Sequence, residues 1–183
     1  PEVGLGEGGC VVHPVTDHGD TPAVVLQPGD LGGLVAGQHL GLNVSSGQFE
    51  YTLGRLYNDR TRKGLLAFHG LSEAINQVQR VRYAARDFFD DAALWHERHG
   101  ASNGRIRAKL DWPDTVVEEL RKLATAIGQG ADLIKQEEQR VELSAAQERC
   151  EGLASALAAW LDQLAPESVY WIEVGEGSRP RVT

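Results

Sequence analysis

Leu71, Ala74, Val78, Val81, Ala85, Phe88, Ala92 and Trp95 recur at alternating spacings of three and four. This is an apolar seam carried through four heptads, the signature of a long helix packed lengthwise on another. At 1.5 Å per residue, residues 71–98 extend roughly 40 Å. A rod of that length with one greasy side must be covered by other rods.

The rest of the chain supplies them. "HGASNG" breaks the first helix, and Pro113 with Asp111 or Asp114 gives a start signal for a second. Its stripe is Val116, Leu120, Leu123 and Ile127, and "GQG" at 128–130 is expected to close it. A third helix is expected to reach about Leu164, where Pro166 ends it. Its seam is Leu143, Ala146, Cys150, Leu153, Leu157, Trp160 and Leu164. "VYWIEV" at 169–174 has strand composition, and "GEGS" followed by "RPRV" suggests a hairpin returning from it. The expected fold is therefore mainly α: an antiparallel bundle of long helices, with short β-strands near the N-terminal quarter and at the C-terminus.

Composition divides the chain further. Residues 1–47 hold 11 of the 21 glycines, and no Lys or Arg precedes Arg55. Such sequence loses much backbone entropy on folding and has little to bury. In it only "PAVVLQ" at 22–27 reads as a strand, and much of 1–21 is expected to be irregular. The organisation expected is a glycine-rich segment over 1–34 with one short strand, a helical domain over 35–165, and a strand or hairpin over 166–183.

A formal charge of −8 and a pI near 5.2 argue against a general nucleic-acid or membrane-surface binder, because phosphates attract positive charge. No apolar run approaches the ~20 residues of a membrane helix, no signal peptide is read at the start, and no membrane partner is expected. Cys10 and Cys150 stand far apart without a CxxC, which excludes a disulfide scaffold or a cysteine-held cluster. Two free thiols in a cytoplasmic protein are expected.

Several catalytic patterns are approached and missed. "GLGEGG" matches GxGxxG at Gly4, Gly6 and Gly9, but no strand can precede it to set up the phosphate turn. There is no GxxxxGK[ST], so no P-loop for a triphosphate. His13, Asp17, His18 and Asp20 are competent ligands without a scaffold and read as solvated polar residues. In "WHERH", His96 and His99 stand three apart where a zincin needs four. Asp87 and Asp91 share one helix face with no base or nucleophile nearby. No catalytic, metal or cofactor-binding residue is assigned.

The cations are different. Arg55, Arg60, Arg62 and Lys63 gather within nine residues around the single acid Asp59. Arg105, Arg107 and Lys109 mark a second loop, and Arg80, Arg82 and Arg86 follow the long helix, with Tyr51, Tyr57 and Tyr83 among them. Cations beside aromatic rings suit a single-stranded nucleic acid, whose phosphates meet the charges and whose bases stack on the rings. The plainer alternative is that they balance the 26 acids and keep the helices soluble.

Three long stretches carry a family resemblance: "HLGLNVSSGQFEYTLGRLYNDRTRKGLL", "RYAARDFFDDAALWHERHGASNGRIR" and "ESVYWIEVGEGSRPRVT". From about Val35 onward the chain resembles the DinG-type DNA helicases, superfamily 2 relatives of the XPD helicase. The resemblance implies an arch-like helical insertion that follows the Walker B region of the first motor domain and returns to it. It implies ATP-driven, Mg²⁺-dependent unwinding of DNA by the parent, in the cytoplasm and in DNA repair, with single-stranded DNA and the remaining motor domains as partners. Arg55, Arg60, Arg62, Lys63, Arg105 and Arg107 are the expected DNA contacts. The chain departs from the family where a DEAH box would follow "PAVVL": it reads Gln27, Pro28, Gly29 and Asp30. The insertion itself would carry no cofactor. The second reading is a non-enzymatic helical module whose seams bind a partner protein.

Overall fold

A computed structural model describes residues 43–99, 104–163 and 168–174, and the backbone of 10–16. The elements in chain order are β1 (Cys10–Thr16), β2 (Val44–Ser45), α1 (Ser46–Leu56), α2 (Leu65–Phe68), α3 (Ser72–His99), β3 (Arg105–Ile106), α4 (Thr115–Asp132), α5 (Glu137–Asp162) and β4 (Ser168–Val174). The possible strand at 22–27, the glycine motif at 4–9, Asp17, His18, Asp20, residues 27–30, Leu164, Pro166 and the hairpin at 175–183 lie outside the described residues.

The fold is mainly helical, as the periodicity predicts. Ala74, Val78, Val81, Ala85, Phe88 and Ala92 of α3 are buried. So are Val116, Leu120, Leu123 and Ile127 of α4, and Leu143, Ala146, Cys150, Leu153, Leu157 and Trp160 of α5. Helix α4 packs against both α3 and α5. Gln77 ties the first pair together: its Nε2 donates to the Glu119 carbonyl at 3.1 Å and to Glu119 Oε2 at 2.5 Å. Burial lifts the Cys150 thiol to about 12, so it stays protonated and unreactive.

Two expectations are corrected. "GQG" does not end α4, which continues through Gly128 and Gly130 to Asp132. These glycines serve close approach instead: a Cβ on Gly130 would stand 2.5 Å from Leu71 Cδ1, and one on Gly128 would stand 2.7 Å from Gln147 Oε1. Residues 10–16 are also not irregular; β1 pairs with β4 along its whole length, from Cys10 opposite Val174 to Thr16 opposite Ser168. Pro14 is tolerated because β2 reaches only Val11 and Val12, leaving that side of β1 an edge.

The antiparallel sheet has the order β2-β1-β4-β3. The strand before the helices and the strand after them are thus neighbours. On β4, Tyr170 and Ile172 are buried while Glu173 faces solvent. Helix α1, which the seams did not reveal, opens on Ser45, whose hydroxyl accepts from Gln48 N at 3.2 Å. Its Phe49 begins a run of edge-to-face rings: Phe49 to Phe89 at 5.5 Å, Phe89 to Phe88 at 5.2 Å, and Phe88 to Trp112 at 5.6 Å and Trp160 at 6.1 Å. That run joins α1, α3, the strand-to-helix loop and α5.

Gly104 admits the chain to β3. Its φ is +67°, and a Cβ would fall 2.0 Å from the Ile172 carbonyl oxygen, which belongs to rigid backbone. Gly104→Ala is expected to cost more than about 1 kcal/mol. Gly54, inside α1 with open space around it, should instead gain up to about 1 kcal/mol as alanine. Opposite shifts in thermal midpoint check both. A hydrogen bond from Lys122 and another from Gln77 hold the Glu119 carboxyl below its ordinary value. Its stabilisation is therefore present above the unfolded value of about 4.3 and is lost as pH falls through the lower folded one. The stability gap between the parent and Glu119→Gln should narrow below about pH 4 in urea titrations.

Candidate nucleic-acid interface

The basic segment is a closed turn at the end of α1. Asn58 N donates to the Lys63 carbonyl at 2.8 Å, and Thr61 N donates to Asn58 Oδ1 at 3.1 Å. Arg62 takes a left-handed conformation, φ 53°, to complete the reversal. The turn is fastened to α3. Arg82 Nη1 and Gln79 Nε2 both donate to the Asp59 carboxylate, and Arg82 Nη2 donates to the Tyr57 carbonyl at 2.6 Å. The Arg82 side chain is only 13% exposed although Asp59 is 51% exposed, and the added bond to the Tyr57 carbonyl ties Arg82 to backbone, unlike an isolated surface pair.

The clamp explains why one acid sits among four cations. Asp59 spends its charge on α3, while Arg60, Arg62 and Lys63 remain exposed on the outer side of the turn. Arg82, grouped by sequence with the helix cations, is the residue that holds the turn in place.

Arg55 stands apart from these three. Its Nη1 donates to the Tyr51 hydroxyl at 3.3 Å and its Cζ lies 6.0 Å from that ring's centre. This bond to Tyr51, first among the causes, raises its already high pKa. In the last turn of α1 its charge also complements the helix dipole.

Arg105 and Arg107 belong elsewhere. They flank buried Ile106, Arg105 within β3 and Arg107 just after it. With Gln163, Ser168, Val169 and Tyr170 they line a half-open cavity of about 430 Å³. Lys109 pairs with Asp162 at 3.2 Å. The turn grips α3 at Gln79 and Arg82, whereas Gly104 packs beside His96. Fourteen residues of helix separate those points, about 21 Å. The six expected contacts thus divide into Arg60, Arg62 and Lys63 on the turn, Arg105 and Arg107 at the sheet edge, and Arg55 by itself on α1.

The remaining candidates take ordinary places. Asp87 and Asp91 are exposed, with Phe88 and Phe89 between them turned inward. The His99 ring stacks on Trp95 at 5.4 Å. Among the described residues no three His, Cys, Asp or Glu side chains are grouped to hold a metal ion. No helix among them is long and apolar enough to cross a membrane.

Removing Arg82 takes the donor from the Tyr57 carbonyl and leaves Asp59 with Gln79 alone. Arg82→Ala is expected to cost about 1–3 kcal/mol and to speed amide exchange at Asn58 and Thr61. A double-mutant cycle with Asp59→Asn should return a coupling of at least ~0.5 kcal/mol. Strict additivity would contradict the clamp.

Comparison of the chain with protein-family models, with curated proteins and with solved structures finds no match.

Proposed function

We propose that this chain is the arch-like helical insertion, with adjoining motor-domain strands, of a DinG-type ATP-dependent DNA helicase, and that its basic turn borders the path of single-stranded DNA. The observation that carries the reading is the clamp. By engaging Asp59, Arg82 and Gln79 turn a loop of mixed charge into a fixed presentation of Arg60, Arg62 and Lys63. Cations held in place lose less entropy on meeting phosphate than cations on a free loop. The rest of the molecule is acidic, so attraction to a polyanion is confined to where the cations stand. The neighbouring strands β1 and β4 support the insertion, because they let the chain enter and leave the bundle side by side.

In this reading the bundle shapes the DNA path and moves with the motor. ATP and Mg²⁺ belong to the motor domains; this sequence contains no P-loop, and no step of hydrolysis is assigned to its residues. The reading puts the parent helicase in the cytoplasm and in DNA repair. Arg105 and Arg107 offer a second contact at the sheet edge.

The alternative, a protein-binding helical module, draws on Phe68 and Leu133, which are 74% and 80% exposed. It cannot use the heptad seams, which the bundle itself buries.

Titration of the whole chain with a labelled oligothymidylate across a salt series separates the two. Neutralising one phosphate on a single strand contributes about −0.7 to the log–log slope, so three cations predict a slope near −2. Arg60→Gln, Arg62→Gln and Lys63→Gln together should abolish most of that slope. A flat response in the parent chain would favour the protein-binding module.

A further inference from the structure

We infer that Tyr83 is a stacking platform for one unpaired base of a strand whose phosphates lie on the 60–63 turn. This rests on the nucleic-acid reading above and adds to it the residue that reads the base rather than the backbone.

Three tyrosines stand among the cations, and the structure distinguishes them. Tyr57 is half-buried against the core, and its carbonyl receives Arg82. Tyr51 is engaged through its hydroxyl by Arg55. Tyr83 is 63% exposed on α3. It follows Arg82 directly and stands one turn after Gln79, the two residues that grip the basic turn. An aromatic ring is thereby presented on the same helix face as the point where Asp59 docks, one residue before Arg60. The Arg86 guanidinium carbon lies 5.9 Å from the Tyr83 ring centre, which adds a cation to the platform.

Acids limit the patch. Asp87 and Asp90 stand one turn beyond Tyr83 and Arg86 respectively, and Asp91 follows. A strand continuing along α3 in that direction would meet repulsion, so the footprint here is short and turns off towards the 60–63 cations. Base pairs in a duplex hide their faces in the stack. A ring of this kind therefore selects single strands, and any base will serve, because each has a flat face.

The test uses the whole chain, a labelled oligothymidylate and an abasic deoxyribose-phosphate strand of equal length. Tyr83→Leu should weaken oligothymidylate binding about tenfold, leaving the salt slope and the abasic affinity unchanged. Tyr83→Trp should restore binding. The ring's exposure predicts an unchanged thermal midpoint for both variants. If the parent binds and Tyr83→Leu binds equally well, or loses affinity equally for both strands, this inference is overturned and the cation reading stands. If the parent binds neither strand, both are overturned.

Discussion

Helix α4 must hide apolar side chains on two sides at once. Val116, Val117, Leu120, Leu123, Ala124, Ile127 and Ala131 make a stripe too wide for a single neighbour. It is satisfied only when α3 covers one flank and α5 the other, and the rest of the architecture depends on that. The order of the bundle follows, with α4 in the middle. Neighbouring side chains also fill the space beside two of its glycines: Leu71 against Gly130 and Gln147 against Gly128. Gln77 and Glu119 add a polar link across the α3–α4 contact, with its groups hydrogen-bonded rather than stranded.

With α3 held, it becomes the base on which the surface is organised. One side supports α1 through Phe89 and Phe49, and the adjoining side grips the basic turn through Gln79 and Arg82. The same helix therefore stabilises the core and positions charge. A cation cluster on a chain of net charge −8 would ordinarily be neutralised by nearby carboxylates. Here the one acid inside the cluster is engaged by Arg82 and Gln79 of α3, and the separation of Asp59 from Arg60, Arg62 and Lys63 is a matter of pairing rather than composition.

The helices were legible because their signal is repetitive and their seams agree with the burial observed. Helix α1 was harder to see, since it has only eleven residues and two of them are glycine, Gly47 and Gly54. The serine and glutamine at 45 and 48 were the local sign of its start. Strand β1 was missed for a different reason: its partner lies near the other end of the chain, and Pro14 reads locally as a breaker. The six cations expected to act together were visible as types. Their division among a turn on α3, a sheet edge beside Gly104 and, for Arg55, the end of α1 was not.

What the sequence determined by itself was which segments become long helices and which side of each leaves water. Both properties are set within a few turns by the spacing of apolar residues. Tertiary structure decided that α4 stands between its neighbours, that Gly128 and Gly130 mark contacts instead of an ending, and that Arg82 serves the fold while Arg60, Arg62 and Lys63 face outward. Those outcomes depend on pairings between distant residues, Asp59 with Arg82 and Gly130 with Leu71, and no local pattern encodes which distant side chain will arrive.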